Sequence, residues 1–318
     1  MTGDFESLIP ESILTSVEAA KLFTTGEIRQ LNSYENRVFE IPLEVTPLSA
    51  VEDKSVIVKF YRPKRWDRAA IKAEHNFIDD LNDHGMPAVG PFKLYSEDSI
   101  LEHDGFLVSI FPKIRGRMPQ EFLEGDLRQV GRRLALLHNV GSQSVAEDRL
   151  DFDAEEYGWK SLERLRQWIE PSLIHDYVQV AEEILESIEE DLEQENYLRI
   201  HGDCHRGNLL QIEKEFFFVD FDDFCNGPAV QDLWMLALGE DKEKDLDELL
   251  EGYTELRSFD NASLSLIPGL QGLRIIMYAG WIAARWHDPF FKQIFPQFTS
   301  YNYWADELAA LRTCAQNL

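Results

Sequence analysis

His201-Gly202-Asp203-Cys204-His205-Arg206-Gly207-Asn208, followed by Val219-Asp220-Phe221-Asp222-Asp223, is the densest run of chemically capable side chains in the 318-residue chain. Around it YLRI (197–200), LLQI (209–212) and FFFVDF (216–221) are short apolar runs separated by polar clusters. They read as strands with charged residues at their ends, a usual seat of chemistry. Asp203 and Asn208 are five residues apart in a glycine-containing loop, and Asp220 follows twelve residues later at the end of an apolar strand. Two carboxylates and an amide are hard oxygen donors, suited to Mg²⁺ and poorly suited to zinc. Phosphoryl transfer uses such an ion against the phosphate oxygens and a carboxylate to orient the attacking hydroxyl.

Upstream, the first 110 residues read mainly as strands. Residues 25–31 and 37–43 flank Asn32-Ser33-Tyr34-Glu35-Asn36, the signature of a hairpin with a five-residue tip. In KSVIVKFY (54–61), Val56, Val58 and Phe60 alternate with Ile57, Lys59 and Tyr61, so both faces are largely apolar and a central strand is expected. Lys59 is then an ammonium among residues that expect burial. A helix is predicted over 67–83, where Ile71, Ile78 and Leu81 mark one face and Glu74 shares it. Further strands are expected around 90–95 and 104–111.

Beyond residue 115 the periodicity becomes helical. Leu127, Val130, Leu134 and Leu137 mark one helix, and others are predicted over 159–171, 175–195, 230–238, 243–257, 266–286 and 303–316. The acidic run 182–195 reads as a solvated helix face. Trp281, Trp286, Arg274 and Arg285 share a late helix, where a core stripe is the default reading and a substrate groove the alternative.

Composition bounds the function. Fifty-eight acids against 31 bases give a formal charge of −27, which disfavours nucleic-acid binding. Three cysteines cannot form a disulfide framework, as expected of a reducing compartment. The first ten residues, MTGDFESLIP, lack the pattern of a secretory signal, and no membrane-length apolar stretch is evident. A cytoplasmic protein without membrane contact is expected.

HGDCHRGN with VDFDD resembles the H-G-D-x-H-x-x-N … I-D motif of aminoglycoside and choline kinases, within the protein-kinase-like superfamily. LNSYENRVFE (31–40), VIVKFYRPKRW (56–66), NGPAVQDLWML (226–236) and GWIAARWHDPF (280–290) extend the likeness to the bacterial stress response kinase A family, over most of the chain. The resemblance implies an α+β, two-lobed protein-kinase-like fold. A small antiparallel-sheet lobe with one helix (1–111) would precede a larger, mainly helical lobe (112–318), with ATP between them near 108–113. It implies transfer of the ATP γ-phosphate to serine or threonine of proteins, the chain itself included, in a stress-response setting. Lys59 resembles the lysine that holds the α- and β-phosphates, Glu74 its helix partner, and Ser33 an ATP-contacting serine. Asp203 resembles the catalytic base, Asn208 and Asp220 the Mg²⁺ ligands, and Asp232 the helix aspartate that anchors the catalytic loop.

The tip NSYEN departs from protein kinases in having no glycine. Side chains and backbone N–H groups would have to serve in place of a Gly-rich flap. Asp222 and Asp223 carry two readings, contact with a second ion or substrate and plain solvated acids. His201 reads as a structural brace of its loop. Few residues separate Asp220 from Asp232, leaving little room for a phosphorylated activation loop. The alternative acceptor is a small alcohol of the choline, homoserine or aminoglycoside type. A dinuclear phosphoesterase would need motifs that the chain lacks, and a pseudokinase would lack residues that it has. A monomer is expected.

Overall fold

The computed structural model describes residues 5–45, 54–93, 98–239 and 241–318. Helix α1 (Pro10–Ala19) opens the fold with proline in its first turn. It precedes strands β1 (Arg29–Gln30), β2 (Arg37–Pro42) and β3 (Ser55–Phe60), helix α2 (Arg68–Asp83), and strands β4 (Leu101–His103) and β5 (Phe106–Pro112). A helical stretch follows: α3 (Asp126–Gly141), α4 (Lys160–Leu165) and α5 (Ile174–Leu192). Next come β6 (Tyr197–Ile200), β7 (Leu209–Ile212), β8 (Glu215–Phe218) and β9 (Cys225–Pro228). Helices α6 (Ala229–Trp234), α7 (Lys242–Thr254), α8 (Ile267–Ala284), α9 (Pro289–Ile294) and α10 (Tyr301–Ala315) complete the chain.

The chain divides into two compact units. One runs to Phe122 and adds Glu147–Arg149 and Arg206–Phe224; the other comprises Leu123–Ala146, Leu150–His205 and Cys225–Leu318. A single cut at 111/112 therefore does not describe the packing. The hairpin β7–β8 joins the first unit because Arg117 bridges Gln211 and Phe122 packs edge-on to Phe216.

In the first unit five antiparallel strands stand in the order β1-β2-β3-β5-β4, which makes β3 central, as its two apolar faces require. Phe39, Ile41, Val56, Val58 and Phe60 meet Ile13 and Val17 of α1 on one side. Helix α1 is an addition to the one helix expected. Its inward face carries Ser12 and Ser16 beside Ile13 and Val17, too weak an apolar stripe to read as helical. On the other side, Asp67 caps α2 by accepting from the Ala70 N–H at 2.9 Å, and Ile71 packs on Tyr61 and Ile100.

No strand forms over 90–93, and residues 94–95 lie outside those described. Pro91 offers no N–H, and the segment touches the sheet through Phe92 N–H donating to the Ile110 carbonyl at 2.7 Å. The edge strand is instead β4, turned into β5 by Asp104 and Gly105, both with positive φ (50° and 82°).

The second unit is built on α3, α5, α7, α8 and α10, with the two-stranded sheet β6–β9 beside them. Leu185, Ile188, Leu270, Leu273, Ile276, Trp304 and Leu311 belong to its core. Helices α3 and α7 approach so closely that a Cβ on Gly252 would lie 1.8 Å from the Arg128 carbonyl oxygen. The stretch Asn261–Ala284 has the length and composition of a membrane span, unlike the reading from sequence, and 56% of its apolar window is buried inside the protein. The predicted helix 159–171 is shorter: a π-turn over Glu155–Trp159 leads into α4, which ends at Leu165. Helix α9 and strand β9 were not anticipated; the Gly-Pro of Cys225–Pro228 hides the strand.

Candidate active site

Strand β3 delivers Lys59 to the α2 side of the sheet, where its ammonium meets three carboxylates. Nζ lies 2.9 Å from Asp222 Oδ1, 3.4 Å from Asp220 Oδ1 and 3.5 Å from Glu74 Oε1. Glu74 is 1% exposed and Lys59 7%. The pairing expected from alternation on a strand and spacing on a helix is present. Burial alone would lower the Lys59 ammonium, but Asp222, Glu74 and Asp220 together hold it well above its ordinary value. Burial pushes Glu74 up to about 7 against the pull of Lys59.

Asp222 is the residue that sequence reasoning undervalued. It is 4% exposed, so its reading as a solvated flanking acid is wrong. Its Oδ1 also accepts from Asn36 Nδ2 at 3.0 Å, and Arg149 donates to its backbone carbonyl. Burial would raise its carboxyl, but Lys59, Arg65 and Arg149 outweigh that and hold it well below the usual carboxylate range. Asp223 is partly exposed and paired with Arg65.

Asp220 ends the β8 run with a half-exposed side chain and a left-handed backbone (φ 62°, ψ 67°). Such strain in a non-glycine residue concentrates at functional sites. Val219 N–H donates to the Asn208 carbonyl at 3.0 Å, so Asn208 lies across the base of the β7–β8 hairpin from the residue before Asp220. A carboxylate and an amide at neighbouring positions are hard donors that suit Mg²⁺ or Ca²⁺ sharing its shell with phosphate and water. Among the described residues no group of three His, Cys, Asp or Glu forms a metal cage. Asn208 and Asp220 would supply two hard donors, with phosphate and water completing the shell.

Ser33 lies half-buried in the loop between β1 and β2. That loop is tied down by arginines the sequence did not single out. Arg62 donates through Nε to the Glu35 carbonyl (2.9 Å) and through Nη2 to the Tyr34 carbonyl (3.4 Å), and Arg65 pairs with the Glu35 carboxylate.

In the second unit Asp203 pairs with Arg274 of α8 (Nη2 to Oδ1 2.8 Å) and His205 (Nε2 to Oδ2 3.4 Å). Burial would raise its carboxyl; the hydrogen bond with His205 and the Arg274 guanidinium hold it well below the ordinary range instead. Asp232, fully buried, accepts from the backbone N–H of His201 (2.7 Å) and Gly202 (2.9 Å) and from His138 Nε2 (3.1 Å). His201 is thus held through its backbone, in keeping with a structural role. Trp281 and Trp286 are partly buried against the core, with Trp281 4.8 Å from Phe291 and Trp286 5.0 Å from Phe298.

The phosphotransferase enzyme family matches residues 27–267. A serine/threonine protein kinase RdoA of Salmonella typhimurium is 34% identical over 94% of this chain and 90% of its own length. Stress response kinase A of Escherichia coli is 32% identical over 96% of this chain and 92% of its own. Among solved structures, the amicoumacin kinase hAmiN in complex with AMP-PNP, Ca²⁺ and Ami superposes with a TM-score of 0.75 at 23% identity, covering 99% of this chain and 95% of that one. The motif, the fold and the length of the match agree: this chain is a kinase of the phosphotransferase enzyme family, belonging to its stress response kinase A group.

Proposed function

We propose that the chain is a Mg²⁺- and ATP-dependent serine/threonine protein kinase that also phosphorylates itself. The observation that carries the reading is the buried Lys59, held by Glu74 and Asp222 with Asp220 at 3.4 Å. An ammonium so confined is suited to grip a nucleotide's phosphate tail. Asn208 and Asp220 would hold Mg²⁺, which when bound neutralises the phosphate oxygens. Ser33, at the tip of the clamped loop, contacts the phosphates, and the adenine lies against the apolar exit of β5 near 108–113.

Asp203 orients the acceptor hydroxyl. Arg274 and His205 keep its carboxyl ionised, so it acts by aligning the nucleophile and receiving its proton late, more than by abstracting it outright. Asp232 keeps the loop bearing Asp203 in place through two backbone N–H groups. Protein acceptors are favoured because the relatives named as protein and stress response kinases match nearly the whole chain. A cytoplasmic setting suits three buried cysteines outside any disulfide, and a monomer is the state proposed.

The test is incubation of the purified chain with γ-labelled ATP and Mg²⁺ in the presence of itself, a generic basic protein, choline, homoserine or an aminoglycoside. Acid-stable label on protein serine or threonine is expected. Label on a small alcohol alone would overturn the protein-kinase reading.

A further inference from the structure

The 32–36 loop between β1 and β2 contains no glycine, and no residue in it has a positive φ. Its placement comes from side chains. Asn36 is 3% exposed and works in two directions: its Oδ1 accepts from the Arg62 N–H (3.0 Å), and its Nδ2 donates to Asp222 Oδ1 (3.0 Å). That same Asp222 oxygen lies 2.9 Å from Lys59 Nζ. Its other oxygen is 3.5 Å from Arg65 Nε, and Arg65 pairs in turn with Glu35 of the loop and with Asp223. One buried carboxylate thus touches the loop, the phosphate-binding lysine and the arginine that clamps the loop. Its own backbone is fixed by Arg149, which stacks over Trp66 at 3.9 Å.

We propose that Asp222 is a positioning residue that couples the 32–36 loop to Lys59, so that both are set for the nucleotide phosphates before the nucleotide arrives. The proposal rests on the reading of Lys59 as the phosphate-binding lysine. A loop ordered in advance does not have to be ordered on binding, and that saving appears as affinity. Asp220, half-exposed, remains available for the metal, while Asp222 stays buried with Lys59. Asp220 and Asp222, two of the three acids of VDFDD, therefore divide the work.

The test exchanges the two partners in the full chain: Asn36→Asp, Asp222→Asn, and both together, with folding checked by circular dichroism. Asn36→Asp alone sets two carboxylates against each other and should raise the KM for ATP about thirtyfold while kcat moves less than about threefold. The double variant restores one amide–carboxylate hydrogen bond in the reverse sense. Its KM should fall at least about tenfold below that of Asn36→Asp, the non-additivity expected of groups in contact. A double variant as impaired as the product of the two singles, or a loss confined to kcat, overturns the coupling. Should Asn36→Asp fail to fold, Asn36→Ala replaces it in the same cycle, and multiplicative effects again overturn the proposal.

A wild-type chain that transfers no phosphate would defeat the functional reading. The coupling is then measured in the nucleotide-free proteins, by hydrogen exchange of the amides of 32–36. Exchange should quicken about tenfold or more in each single variant and recover in the double. Unchanged exchange in the singles overturns it.

Discussion

Replacing Glu74 by glutamine should separate stability from activity. Glu74 is buried, and its carboxyl is pushed up to about 7 from an ordinary 4.5. Each pH unit between the folded and unfolded values is worth about 1.4 kcal/mol, so keeping Glu74 ionised costs the folded state about 3 kcal/mol once the pH exceeds both values. The sign follows from the direction. A carboxyl raised in the folded state favours its protonated form there, so the wild type loses this stability as pH climbs from about 4.5 to about 7, and the loss is constant above that. Glutamine is nearly isosteric with the protonated acid and never ionises.

The opposing effect is the usual penalty of about 3–5 kcal/mol for stranding one member of a buried ion pair. Lys59 would not be stranded here, because Asp222 at 2.9 Å and Asp220 at 3.4 Å remain. Glu74→Gln should therefore lie within about 1 kcal/mol of wild type at pH 5 and exceed it by about 2 kcal/mol at pH 8. If Lys59 has the proposed role of fixing the phosphate tail, phosphate transfer should nonetheless fall by about a hundredfold or more once it is misplaced. Urea unfolding at the two pH values, with unchanged slope, measures the first effect, and labelled ATP the second. A variant that is 3 kcal/mol or more less stable than wild type at pH 8 would show that Glu74 is the indispensable partner of Lys59 and that Asp222 is not.

Acid should weaken the first unit through His75. Burial, assisted by Lys59 and Lys72, pulls its imidazole down to about 3, while Tyr61 and Ser99 bond its two ring nitrogens at 3.0 and 2.7 Å. A depressed histidine stabilises above its unfolded value and loses that contribution as pH falls, so His75 should cost about 2 kcal/mol between pH 7 and pH 5, and His75→Gln should flatten the profile in urea unfolding. Gly252→Ala should destabilise the second unit by about 2–3 kcal/mol, because the new methyl would meet the Arg128 carbonyl and force α3 and α7 apart; thermal melts would reveal it. Arg274→Gln removes a cation 2.8 Å from Asp203, so the acidic limb of kcat/KM should move to higher pH, whereas an unmoved limb would detach Arg274 from the acceptor site.

The Lys59–Glu74 pair is legible in the sequence. Lys59 and Glu74 were visible because strand and helix periodicities each assign a face, and a charge on an apolar face calls for a partner. Asp222 was not visible, since three acids within VDFDD look alike and only the packing of Phe221 and Phe224 against Phe77 turns one of them inward. Asn36, Arg62 and Arg65 were missed for a related reason: turn composition says nothing about which side chains fold back. The edge strand β4 is hidden because the apolar run 104–111 reads as one strand, although it opens with Asp104-Gly105, a strong turn signal. Helix α1, with serines on its buried side, gave no period to follow.

The most direct check is a single-turnover measurement of label passing from γ-labelled ATP to protein serine or threonine, comparing wild type with Asp203→Asn at saturating nucleotide. Asp203→Asn should slow transfer by about a thousandfold with nucleotide affinity nearly unchanged, as loss of a positioned base implies. Transfer within about threefold of wild type would contradict the role given to Asp203 and, with it, the chemistry assigned to this chain.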